Sequence, residues 1–310
     1  MILDLLLVIV GFLFLMKGAD VFVDASAKIA LKFHVPQIVI GLTIVAFGTS
    51  LPEAAVSLTA AVKGTDGIAI GNVVGSNILN VLLILGVASL FSTLHIQKTT
   101  VKYEMPLLIA VSVILGLLGM NGNQLGRIDG VILWLIFIGF FVYLIFLSKT
   151  QENEEEEELT EKDTMPRLLL FVVVGIVCIV LGSNLAVSGA TGIAKIIGIS
   201  DRIIGLTIVA LGTSLPELVT SVVASKKGKA DIAVGNIIGS NLFNVLFVLG
   251  TVSLIHPIPF VPEFYFDTIV CILAVVLLFL LTVRKKELDR KSGIVLLVCE
   301  AVYFIHLLVG

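Results

Sequence analysis

The stretch that decides the fold is GLTIVAFGTSLPE at Gly41–Glu53, an apolar run that ends in a proline and a carboxylate. It returns at Gly205–Glu217 as GLTIVALGTSLPE, with one difference, and GNVVGSNILN at 71–80 returns as GNIIGSNLFN at 235–244. Both pairs are separated by the same number of residues. Two long matches at one spacing indicate that the chain is a duplication.

The composition places the chain in a membrane. Of its 310 residues, 58% are hydrophobic and 14% are charged, whereas a soluble domain has about 25% charged residues. The mean hydropathy is +1.13. Apolar runs of about 17–25 residues can cross a bilayer as helices, so we expect an all-α polytopic membrane protein. The sequence predicts ten such spans: 2–24, 37–61, 67–92, 104–121, 128–148, 167–189, 201–225, 230–254, 265–283 and 292–309.

The duplication and the ten predicted spans give five spans to each half. Because five is odd, the second half must enter the membrane inverted relative to the first, an architecture that many secondary transporters share. The sequence predicts inverted five-helix repeats at 1–149 and 166–310, joined by a linker at 150–165. The two copies of GTSLPE are then expected to face each other near the membrane midplane.

The distribution of lysine and arginine predicts the orientation. Most of these residues lie in the odd-numbered loops, which the positive-inside rule assigns to the cytoplasm. Both termini then lie outside the cell membrane, and the linker, with the acidic run QENEEEEELTEKD at 151–163, is cytoplasmic. That run has no EF-hand spacing, so we interpret it as a solvated linker rather than a cation sensor.

Each GTSLPE motif is predicted to break its helix. Pro52 has no N–H to donate to the carbonyl of Gly48, and Pro216 repeats this in the second copy. In lipid, the freed carbonyls must line protein or a polar cavity. With the neighbouring hydroxyls they form a set of hard oxygen ligands, which suits Na⁺, Ca²⁺ or Mg²⁺. A local interpretation, in which SLPE is a capping box with serine at the N-cap, also starts a new helix there.

The two glutamates of the motifs indicate that the ligand carries a positive charge. Glu53 and Glu217 lie inside predicted spans, and the sequence has no lysine or arginine near either motif. Two buried carboxylates repel each other, so without a cation at least one must hold a proton. Ionisable residues inside a membrane are functional by default, and we expect a divalent cation or several Na⁺ to neutralise the pair.

The second repeated motif adds a polar stripe to the third and eighth spans, because polar residues at intervals of four share one slowly drifting helix face. The stripe comprises Asn72, Ser76 and Asn80 and their repeats Asn236, Ser240 and Asn244. For Asn72 and Asn236, hydrogen bonding between helices stays open beside ligation; for the other four we expect ligation or direct support of the ligands. The glycines of the motif, four residues apart, predict close helix contact.

The remaining polar residues in the spans carry weaker signals. Lys17 and Asp20 in the first span are expected to pair with each other, Asn184 in the sixth to pack, and Glu300 in the tenth to be peripheral or interfacial. The three cysteines and four histidines have no metal-binding spacing.

With these residues in hand, the chain resembles the cation/Ca²⁺ exchanger superfamily, close to its prokaryotic Na⁺/Ca²⁺ exchanger branch. The resemblance covers the whole chain and rests on two repeats, each with GTSLPE followed by GN-x-x-GSN-x-x-N. It implies ten helices, of which eight form a compact core while the first and sixth are long, tilted and slide beside it. It also implies antiport of Ca²⁺ against Na⁺ at clustered sites.

The resemblance also implies a role for each motif position. Glu53 and Glu217 share a central Ca²⁺ site, helped by the backbone carbonyls of Thr49 and Thr213, with Asn80 and Asn244 at the same level. The flanking Na⁺ sites use the hydroxyls of four serines and two backbone carbonyls: Ser50, Ser76, Ser214, Ser240, Ala46 and Ala210.

Two differences from related branches of the superfamily reduce the number of ions that are expected to couple to Ca²⁺. Some relatives carry aspartate where this chain has Asn244, and K⁺-dependent exchangers use aspartate in that region, whereas here both Asn80 and Asn244 are neutral, which argues against K⁺ co-transport. Gly75 and Gly239 stand where the proton-coupled branch has glutamate, which disfavours Ca²⁺/H⁺ exchange.

The sequence thus leaves a ranked set of functions. A Na⁺/Ca²⁺ antiporter comes first, and a Ca²⁺/H⁺ or other cation/H⁺ exchanger that uses the same glutamates is the alternative. A cation channel is disfavoured by the two-half symmetry, and a purely structural role leaves the paired glutamates unexplained. The chain has no nucleotide motif or catalytic triad, so we expect no enzyme activity, no cofactor and no nucleic acid. The expected partners are Na⁺, Ca²⁺ and the lipid bilayer, with a monomer that needs no other protein.

Overall fold

The computed structural model describes residues 1–63, 67–150, 159–198 and 210–309, and helices dominate these ranges. We number the helices in chain order. They are α1 Ile2–Lys32, α2 Gln37–Thr49, α3 Leu51–Lys63, α4 Gly67–Phe91, α5 Thr100–Met120, α6 Arg127–Thr150, α7 Met165–Ile196, α8 Ala210–Thr213, α9 Leu215–Lys226, α10 Ala230–Ile255, α11 Glu263–Thr282 and α12 Arg290–Val309.

Several helices contain π-helical turns, which are often found at functional sites. The π-helical segments are Gly41–Val45 in α2, Asn80–Ile84 in α4, Thr100–Glu104 at the start of α5 and Asn244–Leu249 in α10. The segments in α4 and α10 both begin at the last asparagine of the repeated GN-x-x-GSN-x-x-N motif. The two halves therefore share this local irregularity as well as their sequence.

Seven of the described helices are long and apolar enough to cross a membrane, and an eighth span is counted if α2 and α3 form one bent span. The predicted seventh span, 201–225, corresponds to α8 and α9, but residues 201–209 lie outside the described part of the chain. The predicted tenth span, 292–309, corresponds to α12. A helical polytopic membrane protein is therefore confirmed.

The predicted first and sixth spans are too short. The prediction ended them at residues 24 and 189, but α1 continues to Lys32 and α7 to Ile196. In α1 the apolar run ends before the helix does, because the last turns are built of small side chains that pack into the core and of two lysines that find partners. Lys28 Nζ lies 2.9 Å from Asp163 Oδ1, and Lys32 Nζ donates to the Asp163 carbonyl over 2.7 Å. A helix of 31 residues is about 46 Å long, so α1 can cross the bilayer only with a tilt or an extension beyond it.

Two short antiparallel strand pairs join loops of the two halves. β1 Leu94–His95, between α4 and α5, pairs with β4 Glu287–Leu288, between α11 and α12. β2 Gln124–Leu125, between α5 and α6, pairs with β3 Ile258–Pro259, between α10 and α11. Each strand thus pairs with a strand of the other half, and each pair connects two interhelical loops that are distant in sequence.

The centre of the fold is built by the helices that carry the second motif. The apolar window of α10 is 94% buried and that of α4 is 72% buried, against 22% for α1. A Cβ at Gly235 would lie 2.9 Å from the carbonyl oxygen of Ile38, and one at Gly239 would lie 2.7 Å from that of Leu42. The close helix contact predicted from these glycines is therefore confirmed for the second copy of the motif.

The two longest helices, α1 and α7, pack along each other outside this centre. A Cβ at Gly11 would lie 2.5 Å from Ala186 N, and one at Gly182 would lie 2.7 Å from the carbonyl oxygen of Gly11. Small residues at such contacts let helix backbones approach closely. The outward faces of both helices carry exposed leucine, isoleucine, valine and phenylalanine side chains.

Three weaker expectations on polar residues fail. Among the described residues, Asp20 pairs with Lys227, at 2.6 Å, rather than with Lys17. Asn184 is exposed on α7 instead of packed. Glu300 is buried, with 6% of its surface exposed, because α12 packs closely on α4, where a Cβ at Gly86 would lie 2.8 Å from Leu297.

Candidate ion-binding site

The helix breaks predicted at the two GTSLPE motifs are present. α2 ends at Thr49 and α3 begins at Leu51, and the two helices meet at an angle of 51°. In the second copy α8 ends at Thr213 and α9 begins at Leu215. Each serine of the motif therefore lies between two helices, and each glutamate lies in the first turn of the following helix, where its main-chain neighbours still have free N–H groups.

The two motifs contact each other through these serines and glutamates. Ser50 Oγ donates a hydrogen bond to Glu217 Oε1 over 2.8 Å. Ser214 Oγ contacts Glu53 Oε1 at 3.2 Å and Ser76 Oγ at 3.3 Å. All five side chains are at most 3% exposed. The expectation that the two copies face each other is confirmed.

The capping interpretation predicted a hydrogen bond from the serine side chain to its own helix, and this prediction is wrong for Ser214. Ser214 occupies the N-cap position of α9, but its side chain makes no capping hydrogen bond. Its hydroxyl turns to the glutamate of the other half instead. A short-range pattern could not predict this, because the competing partner lies 161 residues away in the chain.

Asn72 and Asn236 hold each glutamate-bearing helix in place. Asn72 Nδ2 donates to the Glu53 carbonyl over 3.1 Å and to Ser57 Oγ over 2.9 Å. Asn236 Nδ2 bonds Ser221 Oγ at 2.9 Å and approaches the Glu217 carbonyl at 3.5 Å. The structure therefore favours hydrogen bonding between helices for these two asparagines, one of the two roles left open above.

A second group of four asparagines forms hydrogen bonds between the two halves. Asn80 Nδ2 donates to Asn241 Oδ1 over 2.9 Å, and Asn244 Nδ2 donates to Asn77 Oδ1 over 3.2 Å. Asn77 and Asn241 also donate to each other's backbone carbonyls, over 3.2 and 3.1 Å. Sequence reasoning overlooked Asn77 and Asn241, although both stand in the repeated GSN triplet and that repetition could have flagged them.

The central observation is a set of buried oxygens without a partner. Among the described residues, one oxygen of each site glutamate and one of each terminal asparagine are buried and accept no hydrogen bond: Glu53 Oε2, Glu217 Oε2, Asn80 Oδ1 and Asn244 Oδ1. A buried polar atom without a partner costs about 1–3 kcal/mol. Glu104 Oε2 and Glu300 Oε2 are also buried without a partner among the described residues, so burial alone does not mark the site. The four central oxygens differ because they form two repeat-related pairs, which a bound cation would satisfy.

The charge of the site points the same way. Within the part of the chain that the structure describes, neither Glu53 nor Glu217 forms an ion pair with lysine or arginine. The described residues contain no cluster of three or more His, Cys, Asp or Glu. The arrangement therefore offers two carboxylates and neutral oxygens, which suits a hard cation and not a soft metal.

The other predicted residues lie around this centre. Ser240 Oγ donates to the Ala46 carbonyl over 3.4 Å. The Thr49 hydroxyl points to the Val45 carbonyl, at 3.1 Å, and to Asn236 Oδ1, at 3.0 Å. Thr213 is partly buried. α8 begins at Ala210, whose side chain is outside the described set.

The fold and this site define a polytopic membrane protein with paired carboxylates at the centre of a duplicated helical bundle. The comparison with protein families gives the more specific assignment. The model of the sodium/calcium exchanger protein family matches residues 3–146 and 167–309. The chain belongs to this family of cation/Ca²⁺ exchangers, which are membrane transporters and not a class of enzymes.

Individual relatives match over nearly the whole chain. The inner membrane protein YrbG of Escherichia coli (strain K12) is 35% identical, with 95% of this chain and 93% of that protein covered. The sodium/calcium exchanger MaX1 of Methanosarcina acetivorans is 31% identical, with 98% of each covered. A structure of the sodium-calcium exchanger NCX_Mj, soaked with zero Na⁺ and Ca²⁺, has 32% identity and a TM-score of 0.86, with 99% of each chain covered. The resemblance predicted from the two motifs is confirmed.

Proposed function

We propose that this protein exchanges Na⁺ for Ca²⁺ across the cell membrane by alternating access, with both ions bound between Glu53 and Glu217. The observation that carries the proposal is the set of four buried acceptor oxygens without a partner. Two of them carry the charge that a divalent cation needs, and the other two are neutral amide oxygens of the kind that Ca²⁺ accepts. Membership of the sodium/calcium exchanger family supports the same ions.

The proposed Ca²⁺ site takes its oxygens from both halves. Glu53 and Glu217 supply the carboxylates, the carbonyls of Thr49 and Thr213 complete the shell, and Asn80 and Asn244 lie at the same level. For the flanking Na⁺ ions we assign the hydroxyls and carbonyls that surround this centre: Ser50, Ser76, Ser214, Ser240 and the carbonyls of Ala46 and Ala210. The Ser50–Glu217 and Ser214–Glu53 hydrogen bonds support this assignment, because a hydroxyl that lies beside a carboxylate is placed to share its cation.

Competition for these oxygens explains the coupling. Two buried carboxylates carry a charge of about −2, which one Ca²⁺ or two Na⁺ would balance. The site cannot hold both loads, because the additional charge would be buried without a counter-charge. Loading from one side therefore expels the other ion, and a gradient of Na⁺ can drive Ca²⁺ against its own.

For the architecture we propose ten spans in two inverted repeats, 1–149 and 166–310, with 150–165 as a linker. The strand pairs support the inversion. β1 lies in the third loop of the proposed topology and pairs with β4 in the ninth, while β2 in the fourth loop pairs with β3 in the eighth. Odd loops therefore meet odd loops and even loops meet even loops. A second half in the same orientation as the first would bring the third loop to the side of the eighth.

The proposed orientation puts both termini outside and the linker in the cytoplasm. Ion pairs support one shared side for the first, fifth and seventh loops, since Lys28 near the end of α1 contacts Asp163, and Lys227 after α9 contacts Asp20 and Asp24. The acidic run lies mostly outside the described residues. A single cysteine placed in it should react with an impermeant reagent only from the cytoplasmic side, and labelling of intact cells would contradict this orientation.

Proton coupling is the alternative that the same oxygens allow. Protons on Glu53 and Glu217 would also satisfy the unpartnered carboxylate oxygens. The neutral asparagine oxygens suit a metal ion, because hard cations coordinate amide oxygens directly, whereas protons on the glutamates would leave Asn80 Oδ1 and Asn244 Oδ1 only a hydrogen bond to accept. They favour a metal ion at the site.

Transport in proteoliposomes tests the proposal. Vesicles loaded with Na⁺ should take up ⁴⁵Ca²⁺, and K⁺-loaded vesicles should not. Glu53→Gln or Glu217→Gln should each abolish uptake, while the control Glu104→Gln should retain it. Glu104 is likewise a buried carboxylate with one unpartnered oxygen among the described residues, but it lies outside both repeated motifs and accepts a hydrogen bond from Tyr143. Uptake driven only by a proton gradient would replace Na⁺ with H⁺, and uptake that survives both substitutions would remove the ions from this site.

A further inference from the structure

We propose that Asn77 and Asn241 are positioning residues that determine which end of the Asn244 and Asn80 side chains faces the bound cation. The inference rests on the proposed function, because it concerns the same site, but it adds two residues that do not themselves contact the ion. Each acts on the terminal asparagine of the opposite half. Their role is to present oxygen, and not nitrogen, to the space between the glutamates.

The chemistry of a carboxamide makes such a device necessary. One end of an asparagine side chain is an oxygen that accepts, and the other is an NH₂ group that donates. The two ends have nearly the same shape, so packing alone selects weakly between them. A cation is attracted by the oxygen and repelled by the NH₂ group, so the neutral ligands of this site depend on a fixed orientation.

The hydrogen bonds supply that orientation. Asn80 Nδ2 is held by Asn241 Oδ1 at 2.9 Å, and Asn244 Nδ2 is held by Asn77 Oδ1 at 3.2 Å. With the NH₂ groups engaged, the oxygens of Asn80 and Asn244 turn away from these bonds. They are the buried acceptors without a partner among the described residues.

Asn77 and Asn241 are themselves fixed. The Nδ2 atom of each donates to the backbone carbonyl of the other, over 3.2 and 3.1 Å, so neither amide can rotate without breaking a bond to the main chain. All four asparagines are at most 1% exposed, so no bulk water is available to replace a broken bond. The fixed main chain therefore determines the orientation of the inner pair, and the inner pair determines that of the two ligands.

Each of these hydrogen bonds joins an asparagine of one half of the chain to an asparagine of the other half. Asn77 in α4 orients Asn244 in α10, and Asn241 in α10 orients Asn80 in α4. The oxygen offered by one half therefore depends on the main-chain position of the other. Loss of either positioning residue should weaken cation binding even though no direct ligand is removed.

A double-mutant cycle separates this role from a structural one. Asn77→Ala is made in the full-length protein and again together with Asn244→Asp. Aspartate has an oxygen at both ends, so its orientation no longer matters to the cation. Asn77→Ala should weaken Ca²⁺ binding about tenfold when Asn244 is present, by analogy with the loss of one buried hydrogen bond. In the Asn244→Asp background the loss should be less than about threefold.

The measurement is calorimetric titration of Ca²⁺ into the purified full-length protein, with Asn184→Ala as a control for an asparagine exposed on α7. The mirror cycle, Asn241→Ala with Asn80→Asp, is measured in parallel and keeps the test decisive if one variant fails to fold. Equal losses in both backgrounds would mean that Asn77 only supports the structure, and would overturn the inference. A wild-type protein that binds no Ca²⁺ would overturn the proposed function and this inference together, whereas normal wild-type binding with no coupling in either cycle overturns the inference alone.

Discussion

The two repeats of the chain match closely in their contacts at the centre of the molecule, but differ in their contacts near the end of α1. At the centre almost every contact is made twice: Ser50 bonds Glu217 as Ser214 bonds Glu53, and Asn80 bonds Asn241 as Asn244 bonds Asn77. Towards the end of α1, Asp20 and Asp24 form ion pairs, whereas the equivalent positions of α7 carry no charged side chain.

These ion pairs tie α1 to the loop after α9. Lys227 Nζ lies 2.6 Å from Asp20 Oδ1 and 2.7 Å from Asp24 Oδ2. The equivalent positions of α7 carry Asn184 and Ser188, which cannot form an ion pair. At the centre both halves therefore carry the groups that an ion needs, whereas only the first half carries these two aspartates.

This difference shows which part of the fold the chemistry constrains. A cation between two glutamates needs matching oxygens from both halves, so a change in one half damages the whole site. The ends of the helices have no such requirement. We expect the ion pairs at α1 to make the two access states unequal in free energy, since Asp20 and Asp24 have no charged equivalent in the second half.

The largest expected effect comes from breaking the symmetry of the centre. Glu53→Gln and Glu217→Gln each leave one carboxylate in a site built for two. Each should weaken Ca²⁺ binding at least about 100-fold, since losing one member of a buried charged group costs about 3 kcal/mol or more. Because the halves match, the two losses should agree within about threefold. Calorimetric titration checks this, and a variant that binds normally would show that the two glutamates are not equivalent.

A smaller effect is expected at the two serines. Ser50→Ala and Ser214→Ala each remove a hydroxyl assigned to Na⁺ and a hydrogen bond to a glutamate. Na⁺ should bind about tenfold more weakly, as for loss of one hydrogen bond to a charged group, while Ca²⁺ binding changes less. The Na⁺ dependence of ⁴⁵Ca²⁺ uptake measures this. Ser112→Ala is the control, because that buried hydroxyl donates to the Leu108 carbonyl in α5. Equal effects on both ions would contradict the assignment of hydroxyls to Na⁺.

Removing the ion pairs at α1 should have a smaller effect than substituting the glutamates or the serines. Replacing Asp20 with Asn and Asp24 with Ser copies the second half into the first. Both aspartate side chains are 47% exposed, so solvent screens the pairs and the expected loss of stability is about 1 kcal/mol or less. Added salt should lower the melting temperature of the wild-type protein more than that of the double variant. An identical salt dependence would show that the pairs contribute nothing.

The smallest predicted effect concerns pH at the other α1 contact. The hydrogen bond from Lys28, with those from Thr160, lowers the pKa of Asp163 below its usual range. A lowered pKa in the folded state means that the stabilisation is present above the unfolded pKa of about 3.9 and is lost as the pH falls further. Asp163→Asn should therefore lower the melting temperature near neutral pH and make no difference in strong acid. A constant difference across that range would contradict this.

The fold was largely predictable because hydrophobic length and internal repetition are written directly in the chain. The limits of α1 were not, because its last turns consist of small and charged residues whose partners, the core and Asp163, are remote in sequence. The cross-half bond from Ser214 was missed for the same reason, because a local capping pattern describes only neighbours. Asn77 and Asn241 were overlooked because a stripe at intervals of four selects one helix face, whereas these residues lie one position beyond the serine of that stripe.

The central claim is that Na⁺ and Ca²⁺ compete for the same oxygens between Glu53 and Glu217. Ca²⁺ titrations of the purified protein, repeated at increasing Na⁺ and at matched ionic strength with K⁺, test it without a membrane or a gradient. The apparent Kd for Ca²⁺ should rise steadily with Na⁺ and stay constant with K⁺. If the apparent Kd for Ca²⁺ does not change with Na⁺ and rises only as the pH falls, Na⁺ coupling is contradicted and the exchange is assigned to protons.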